Sequence, residues 1–401
     1  MPDLPDRLCS GCSACCQICP KRCIAMKCDD EGFWKPYVDA GLCIDCKSCE
    51  KVCPVLNPYP SKEPLDVYAA RVEDDSQLAR STSGAIFPHL AREIIQEGGV
   101  VFGARFDPDW RVLVDCTGTL EGLEAFRGSK YVQAWAGESY IRARSFLRQG
   151  RKVLFSGTPC QIAGLKRFLG KDDDNLFTVS LLCHGVPSQR LWLRYLEEEK
   201  ARQVRKLRKS RKDIPGLELA HVTFRDKRGG WKVSNLSFDL VHNGEVAHTY
   251  ISADSLYIKA FLKNLSLRES CYACPFKEGR DWADITIGDY WGIEELHPEL
   301  YDNKGISLVQ VKSEKGRRLL KLDGLSYLKT SYEEVRDTNT VRQPPSRPSK
   351  RDRSCKRLEK SRHVLRELYR LCHRPSKRWR WALDWVVAVV SGKPVKDRGL
   401  H

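Results

Sequence analysis

Between residues 65 and 335 short apolar runs alternate with amphipathic stretches, the pattern of an α/β domain. Runs at 100–106, 111–115, 152–155, 177–182 and 284–288 predict strands. Stretches at 87–96, 138–149, 161–169 and 190–200 predict helices. Gly229-Gly230 and Asn243-Gly244 bracket an alternating segment, 231–241, that predicts part of a β-hairpin or meander. The pattern stops on both sides of this body. The first sixty residues show regularly placed cysteines, then Asn57 to Pro64 brings three prolines in eight residues and reads as a linker. After Asp337 the chain turns polar and basic, with a predicted helix at 355–374, then Trp379, Trp381, Trp385 and an apolar run at 386–390. The expected division is 1–60, 61–335 (parts 61–145 and 146–335) and 336–401. The only internal repeat is the duplicated cysteine run.

A chain of 401 residues that is 41% apolar and 30% charged buries a sizeable core, which excludes wholesale disorder. Its longest nearly apolar stretch, Trp381 to Val390, has ten residues and contains Asp384, against the about 20 a membrane span needs. The acidic, proline-rich start carries no signal-peptide pattern, so the expected place is the cytoplasm. The net charge of +16 is uneven: residues 341–401 hold 18 Lys/Arg against 5 Asp/Glu, leaving 50 against 47 before them. A basic tail on a nearly neutral body does not describe a nucleic-acid-binding core. Two readings fit the tail: contact with the anionic inner face of a membrane, or a terminal helix docking its tryptophans on the body. A second basic stretch, 202–212, has seven Lys/Arg in eleven residues and is expected to be an exposed loop.

Eleven of the 18 cysteines precede residue 54. Cys9, Cys12, Cys15, Cys19-Pro20 and Cys43, Cys46, Cys49, Cys53-Pro54 both spell Cys-x2-Cys-x2-Cys-x3-Cys-Pro, the run of two-cluster bacterial ferredoxins. Two-residue gaps let a tight loop present three sulfurs to three irons, and the fourth cysteine ligates the other cluster. One 4Fe–4S cluster is therefore assigned Cys9, Cys12, Cys15 and Cys53, the other Cys43, Cys46, Cys49 and Cys19. Zinc also takes Cys-x2-Cys, but it does not need four cysteines per run or the terminal Cys-Pro. Cys16, Cys23 and Cys28 fall outside the spacing and are expected to pack beside the clusters as bystanders.

In the body, Ser156-Gly157-Thr158-Pro159-Cys160-Gln161 joins a strand to a helix. Thr158 fits the N-cap, Pro159 the first helical position and Gln161 the third, so Cys160 sits in a helix's first turn. The next strand ends before Cys183-His184-Gly185. A strand–helix–strand crossover puts both strand ends at one sheet edge, which makes Cys160 and Cys183 possible neighbours. Cys271-Tyr272-Ala273-Cys274 adds another Cys-x2-Cys. The four thiols suffice for a third 4Fe–4S cluster or an all-thiolate zinc site; four unrelated core cysteines are the remaining reading. Ser81-Thr82-Ser83-Gly84 before a helix offers an anion site suited to a pyrophosphate, or an ordinary cap. Arg127-Gly128-Ser129-Lys130-Tyr131 suits a nucleotide cofactor, or a solvated loop. His184 is the candidate proton donor, a structural histidine being the other reading.

Taken in order, STSGAIF, FRGSKYVQ, LFSGTPCQIAGLK, LLCHGVPS, CYACPFK and ADITIGDYWG resemble the coenzyme F-420 (deazaflavin) hydrogenase/dehydrogenase beta-subunit family over about residues 65–310. The resemblance implies an FAD-binding body with an iron–sulfur cluster beside the flavin, ligated by Cys160, Cys183, Cys271 and Cys274. It implies flavin contacts at Ser83, Gly84 and Arg127, Gly128, Ser129 and Lys130, with Ser81 and Thr158 counted beside them. Ala85 departs from the family, which often has a second glycine there. The expected fold class is α/β: a ferredoxin-like two-cluster N-terminal domain, a mixed-sheet flavin-binding body and a basic C-terminal helical tail. The expected function is an iron–sulfur flavoprotein oxidoreductase fed by a redox partner (ferredoxin, deazaflavin or another donor) and acting on an unidentified organic substrate. Its rival is an electron-transfer subunit serving a separate catalytic partner; a cluster-bearing sensor would need no flavin.

Overall fold

The computed structural model describes residues 6–210, 214–337 and 343–373. Near the N-terminus, β1 (Ile24–Cys28) and β2 (Trp34–Val38) form an antiparallel hairpin between the two cysteine loops. The body is built on an eight-stranded sheet: β3 (Asp66–Val72), β4 (Val100–Phe106), β5 (Val112–Thr117), β6 (Val153–Gly157) and β7 (Leu176–Leu181) belong to it. β8 (Glu218–Asp226), β9 (Asn235–His242) and β10 (Glu245–Ser252) form a separate antiparallel sheet. The chain then returns to the large sheet with β11 (Ile285–Asp289), β12 (Ser307–Val311) and β13 (Leu325–Thr330). Strand order is β13-β3-β12-β11-β7-β6-β4-β5.

The four central strands β11, β7, β6 and β4 are mutually parallel, and the margins are antiparallel, so the sheet is mixed as expected. Parallel strands covered on both faces read as continuous apolar runs. That is why β4, β6, β7 and β11 fall within two residues of their predicted spans, and β5 on the margin does too. The predicted hairpin is the β9–β10 turn. Asn243 (φ 51) and Gly244 (φ 82) supply the two left-handed residues a type I′ turn needs.

Seven helices among the described residues have seven or more residues: α1 (Ile86–Gln96), α2 (Ser139–Arg148), α3 (Pro159–Leu169), α4 (Gln189–Lys209), α5 (Leu256–Leu262), α6 (Arg351–Lys360) and α7 (Val364–Cys372). α3 opens with the expected capping box of Thr158 and Gln161 and with proline in its first turn. α4 corrects one expectation: most of the basic stretch taken for a loop is its last two turns. Val204 and Leu207 pack on the core while Lys206, Arg208 and Lys209 complement the helix C-terminus. The helix expected at 355–374 is two helices with a break at 361–363. Leu358, Val364, Leu368 and Cys372 join Trp192, Tyr195 and Tyr257 in one core cluster, so this part of the tail is docked. The Glu198 carboxylate caps α7, accepting from the Val364 and Leu365 N–H groups at 2.6 and 3.0 Å. Trp379, Trp381, Trp385 and the 386–390 run lie outside the described residues. No helix among the described residues is long and apolar enough to cross a membrane.

Candidate metal centres

The two cysteine loops are built alike. Gly11 and Ser13 in the first, and Asp45 and Lys47 in the second, all take left-handed conformations (φ 70, 69, 51 and 58). The repeated tight turns gather the thiols around two hollows. Cys9, Cys12, Cys15 and Cys53 line one of about 380 Å³ together with Ala14, Met26 and Val55. Cys19, Cys43, Cys46 and Cys49 line the other, about 450 Å³, with Ile24 and Val38. The fourth cysteine of each run thus crosses to the other loop. No three His, Cys, Asp or Glu groups among the described residues converge as they would on a single ion. A cubane offers four irons to four separate thiolates, so ligands spaced around a hollow fit it better than they fit zinc.

The hollows differ in surroundings. The first, hereafter inner, packs on the body. A Cβ built on Gly164 of α3 would stand 3.0 Å from Cys12 Sγ. The buried Tyr140 hydroxyl lies 2.8 Å from the Cys12 carbonyl and 2.9 Å from that of Gln161. Gln17 Oε1 accepts from the Tyr140 and Ile141 N–H groups at 2.8 and 3.2 Å, closing the first turn of α2. Burial, with Cys53 and Cys9 adding, pushes the Cys12 thiol up to about 12. The outer hollow has Cys43 and Cys46 exposed, and Leu42 and Ile44 beside them are 57% and 59% exposed. Ser48 holds the Cys46 thiol below its ordinary range.

Of the three extra cysteines, Cys16 donates to the Ile24 carbonyl at 2.9 Å and Cys28 is exposed. Cys23 is a wall of the outer hollow, its sulfur 3.3 Å from that of Cys19.

The four body cysteines come together at the carboxyl edge of the parallel strands. Cys160 is in the first turn of α3, its sulfur 3.2 Å from the Thr158 hydroxyl. Cys183 follows β7, whose end is tied to β11 by Leu182 N–H to the Ile287 carbonyl at 2.8 Å. A Pro187–Leu267 bridge and Arg268 N–H to the Val186 carbonyl bring in the 3-10 turn Glu269–Ala273. A Cβ on Gly185 would touch Cys271 Cβ at 3.3 Å. Burial, with Cys183 and Cys274 adding, pushes Cys271 up to about 12. Burial also pushes Cys274 up to about 11, and Cys183 opposes its ionisation as well. Buried thiols that oppose one another's ionisation become thiolates when a cationic core sits among them, so this set fits a cluster. Lys277 Nζ donates to the Cys183 carbonyl at 2.7 Å.

The expected flavin contacts form two loops that meet. Arg127 reaches Ser81 Oγ at 3.1 Å, Gln77 and Glu124; Ser129 N–H donates to Thr82 Oγ1 at 2.9 Å. Lys130 Nζ lies on the carbonyls of Ala125, Arg127 and Gly128, and burial pushes its ammonium down to about 7. Ser83 Oγ donates to the Ile306 carbonyl, and Gly84 N–H to Ser307 Oγ. Both cations are therefore engaged with protein oxygens, not turned outward as phosphate partners. What remains for an anion is the first turn of α1, whose N-cap, Ala85, is left-handed (φ 62) and gives no side-chain cap. Ala85 thus occupies a conformation that favours the family's glycine. Thr158 shares the sheet edge, and its hydrogen bonds go to Cys160 and Gln161. His184 Nε2 is 2.6 Å from Asn264 Oδ1, its ring edge-on to Phe261, and burial pushes it below its ordinary value. Tyr140, Gln17 and Arg268 were not legible as site residues, although Gln17 lies inside the first cysteine run and Arg268 three positions before Cys271.

Residues 150–333 match the family model for the C terminus of the beta subunit of coenzyme F420 hydrogenase/dehydrogenase, and residues 36–56 match a 4Fe-4S binding domain. The F subunit of the F(420)H(2) dehydrogenase of Methanosarcina mazei is 22% identical over 190 residues, 44% of this chain and 53% of that protein. A 7Fe ferredoxin of Hydrogenibacillus schlegelii is 44% identical over 47 residues, 12% of this chain and 54% of that protein. The chain spans about half the length of each of these two curated relatives. A chain from the structure of the F420-reducing NiFe hydrogenase complex of Methanosarcina barkeri aligns with 69% of this chain and 86% of its own, at 19% identity and a TM-score of 0.43.

Proposed function

We propose, for a chain that belongs to the coenzyme F420 hydrogenase/dehydrogenase beta-subunit family and carries a ferredoxin-type 4Fe–4S domain in front, that it is an iron–sulfur oxidoreductase subunit. Single electrons pass between a redox partner at the outer site, the inner site, a third cluster at the sheet edge and an organic two-electron carrier. The observation that carries this reading is the contact at α3. Gly164 packs on Cys12 of the inner set, while Cys160 of the third set lies one helical turn earlier on the same face. A step between the two sites needs no moving part.

The chain's own residues hold that junction shut. Tyr140 and Gln17 lock the inner loop to α2 and α3, and Cys12 sits in the apolar cluster that α3 shares with Ala14 and Val52. A flavin or deazaflavin at the carboxyl edge would supply the exchange between single electrons and a hydride. Ser83, Gly84 and the start of α1 would hold its anionic end, with Arg127 and Lys130 shaping the loops from behind. His184, held by Asn264, is the proton donor proposed for that edge. The domain limits 1–60, 61–335 and 336–401 and a place in the cytoplasm belong to the same proposal. The reading of an electron-transfer subunit, serving a catalytic partner, draws on the subunit status of the Methanosarcina mazei relative.

Anaerobic protein assayed for iron, sulfide and flavin tests the reading. Three sites predict about twelve irons and twelve sulfides per chain. Cys160→Ser and Cys274→Ser should each lose about four irons and keep the ferredoxin-type clusters. Zinc without sulfide would sink the relay, and full iron in Cys160→Ser would return the body cysteines to core packing. Turnover by the isolated chain separates an enzyme from an electron-transfer subunit.

A further inference from the structure

Arg268 is 3% exposed and stands at the entrance to the Cys271–Cys274 turn. Its N–H donates to the Val186 carbonyl at 2.9 Å and its carbonyl accepts from Cys271 N–H at 3.0 Å, so its backbone is fixed between the Cys183 and Cys271 loops. The side chain runs the other way. Nε donates to the Cys9 carbonyl at 2.8 Å, and a Cβ on Gly11 would stand 3.2 Å from its Cζ. Cζ is 5.4 Å from the centre of the Phe33 ring. The guanidinium therefore lies against the loop of the inner set, while its charge still reaches Cys271 of the third set and favours that thiolate.

Its two terminal nitrogens, Nη1 and Nη2, are buried with no hydrogen-bond partner in the protein. Among the described residues no carboxylate pairs with it; Glu269 next to it is taken by Arg347 and Arg351. A buried guanidinium with an unmatched charge and unmatched donors is strongly unfavourable unless an anion with acceptor atoms completes it. A cluster bound by four thiolates is such an anion, and its sulfurs accept N–H bonds.

Resting on the relay proposed above, we infer that Arg268 is a positioning residue shared by the inner and third clusters: it supplies both with a counter-charge and N–H donors, and so raises the reduction potentials of both together. Reduction adds negative charge to a cluster, so a fixed cation beside it favours the reduced state. A shift shared by two clusters raises both without opening a gap between them. The outer cluster lies beyond this contact and keeps its own potential.

The test is a redox titration of the full chain followed by EPR, after iron and sulfide have been counted. The outer signal is identified as the one absent from Cys46→Ala. Arg268→Gln at full iron should move the other two signals to lower potential by at least tenfold in their one-electron equilibrium, equivalent to about 59 mV, leaving the outer signal in place. Arg268→Lys, which keeps the charge, should stay within tenfold of wild type. A smaller movement in Arg268→Gln, or an equal movement of all three signals, overturns the inference while the relay stands. Should Arg268→Gln fail to load iron, Arg268→Lys decides: a shift beyond tenfold overturns the proposal. Wild-type protein with no sulfide would overturn the relay and this inference together, and is told apart by the iron count.

Discussion

Gly11 and Asp45 occupy the same position in their loops and the same left-handed conformation, yet one is glycine and the other is not. A Cβ on Gly11 would meet Gln133 Nε2 at 2.6 Å and the Trp34 carbonyl at 2.7 Å, because the inner loop is pressed against the hairpin and the body. The outer loop has solvent at that place, so Asp45 bears only the modest left-handed strain that Asp tolerates better than most. One cysteine plan has been set in two environments. The plan groups the thiols; the packing sets what surrounds each group. In the relay proposed above, the exposed site would trade electrons with other molecules and the packed one would hand them on within the chain.

Replacing one ligand from each site breaks the comparison most severely. Cys46→Ala and Cys12→Ala should each lose about four of about twelve irons. Cys12→Ala should also destabilise the whole chain by about 3 kcal/mol or more, since Cys12 is buried against α3 and its cluster contributes to folding there. Cys46→Ala should leave the denaturation midpoint nearly unchanged while an external one-electron donor reduces the protein at least about a hundredfold more slowly. Equal loss of stability in both would erase the distinction between inner and outer.

The next test changes the turns alone. Gly11→Ala should cost about 3 kcal/mol, combining overpacking with left-handed strain. Asp45→Gly should be neutral or stabilising by up to about 1 kcal/mol. Urea denaturation with iron retained reads both. A destabilised Asp45→Gly would mean the Asp45 side chain does more than tolerate its turn.

Tyr140→Phe probes the seam between inner site and body. The hydroxyl lies on two buried carbonyls, of Cys12 and Gln161, and removing it leaves them short of a donor. The expected loss is about 1–3 kcal/mol, with outer-site iron untouched.

Much of this was legible where the signal is local. The cysteine runs, the capping box at Thr158 and Gln161, the Asn243-Gly244 turn and the apolar central strands each carry their instruction within a few residues. β3, β12 and β13 were missed because they become strands by pairing across more than 200 residues of chain, as Leu308 with Ala69 does. The length of α4 was missed because Val204 and Leu207 are held by a core that only the fold assembles. The distinction between inner and outer was invisible for the same reason: Gly164, Tyr140 and Arg268 lie more than 100 residues from the loop they cover. The cations at Arg127 and Lys130 looked outward-facing in sequence, and Gln77, Ser81 and neighbouring carbonyls turn them inward.

The smallest expected effect concerns the clamp from the C-terminal helices. Arg351, 3% exposed at the start of α6, donates to Glu31 Oε1 and Oε2 at 2.7 and 2.5 Å and to the Leu267 carbonyl at 2.8 Å. Glu31 lies in the β1–β2 turn, so the clamp ties the cysteine domain to the body one residue from Arg268. Glu31→Gln keeps the size and removes the charge. Glu31 is 30% exposed, so water compensates part of the loss, and Arg351 keeps the Leu267 carbonyl with Glu269 3.4 Å away. The expected cost is about 1 kcal/mol, well below that of breaking a fully buried pair. Because the lost term is electrostatic and partly solvated, the gap between Glu31→Gln and wild type should narrow as salt rises from 0.05 to about 0.5 M. Iron at all three sites should be unchanged. A salt-independent loss of several kcal/mol, or loss of inner iron, would show that the clamp sets the inner loop's geometry and that the packed site depends on the C-terminal helices as much as on α3.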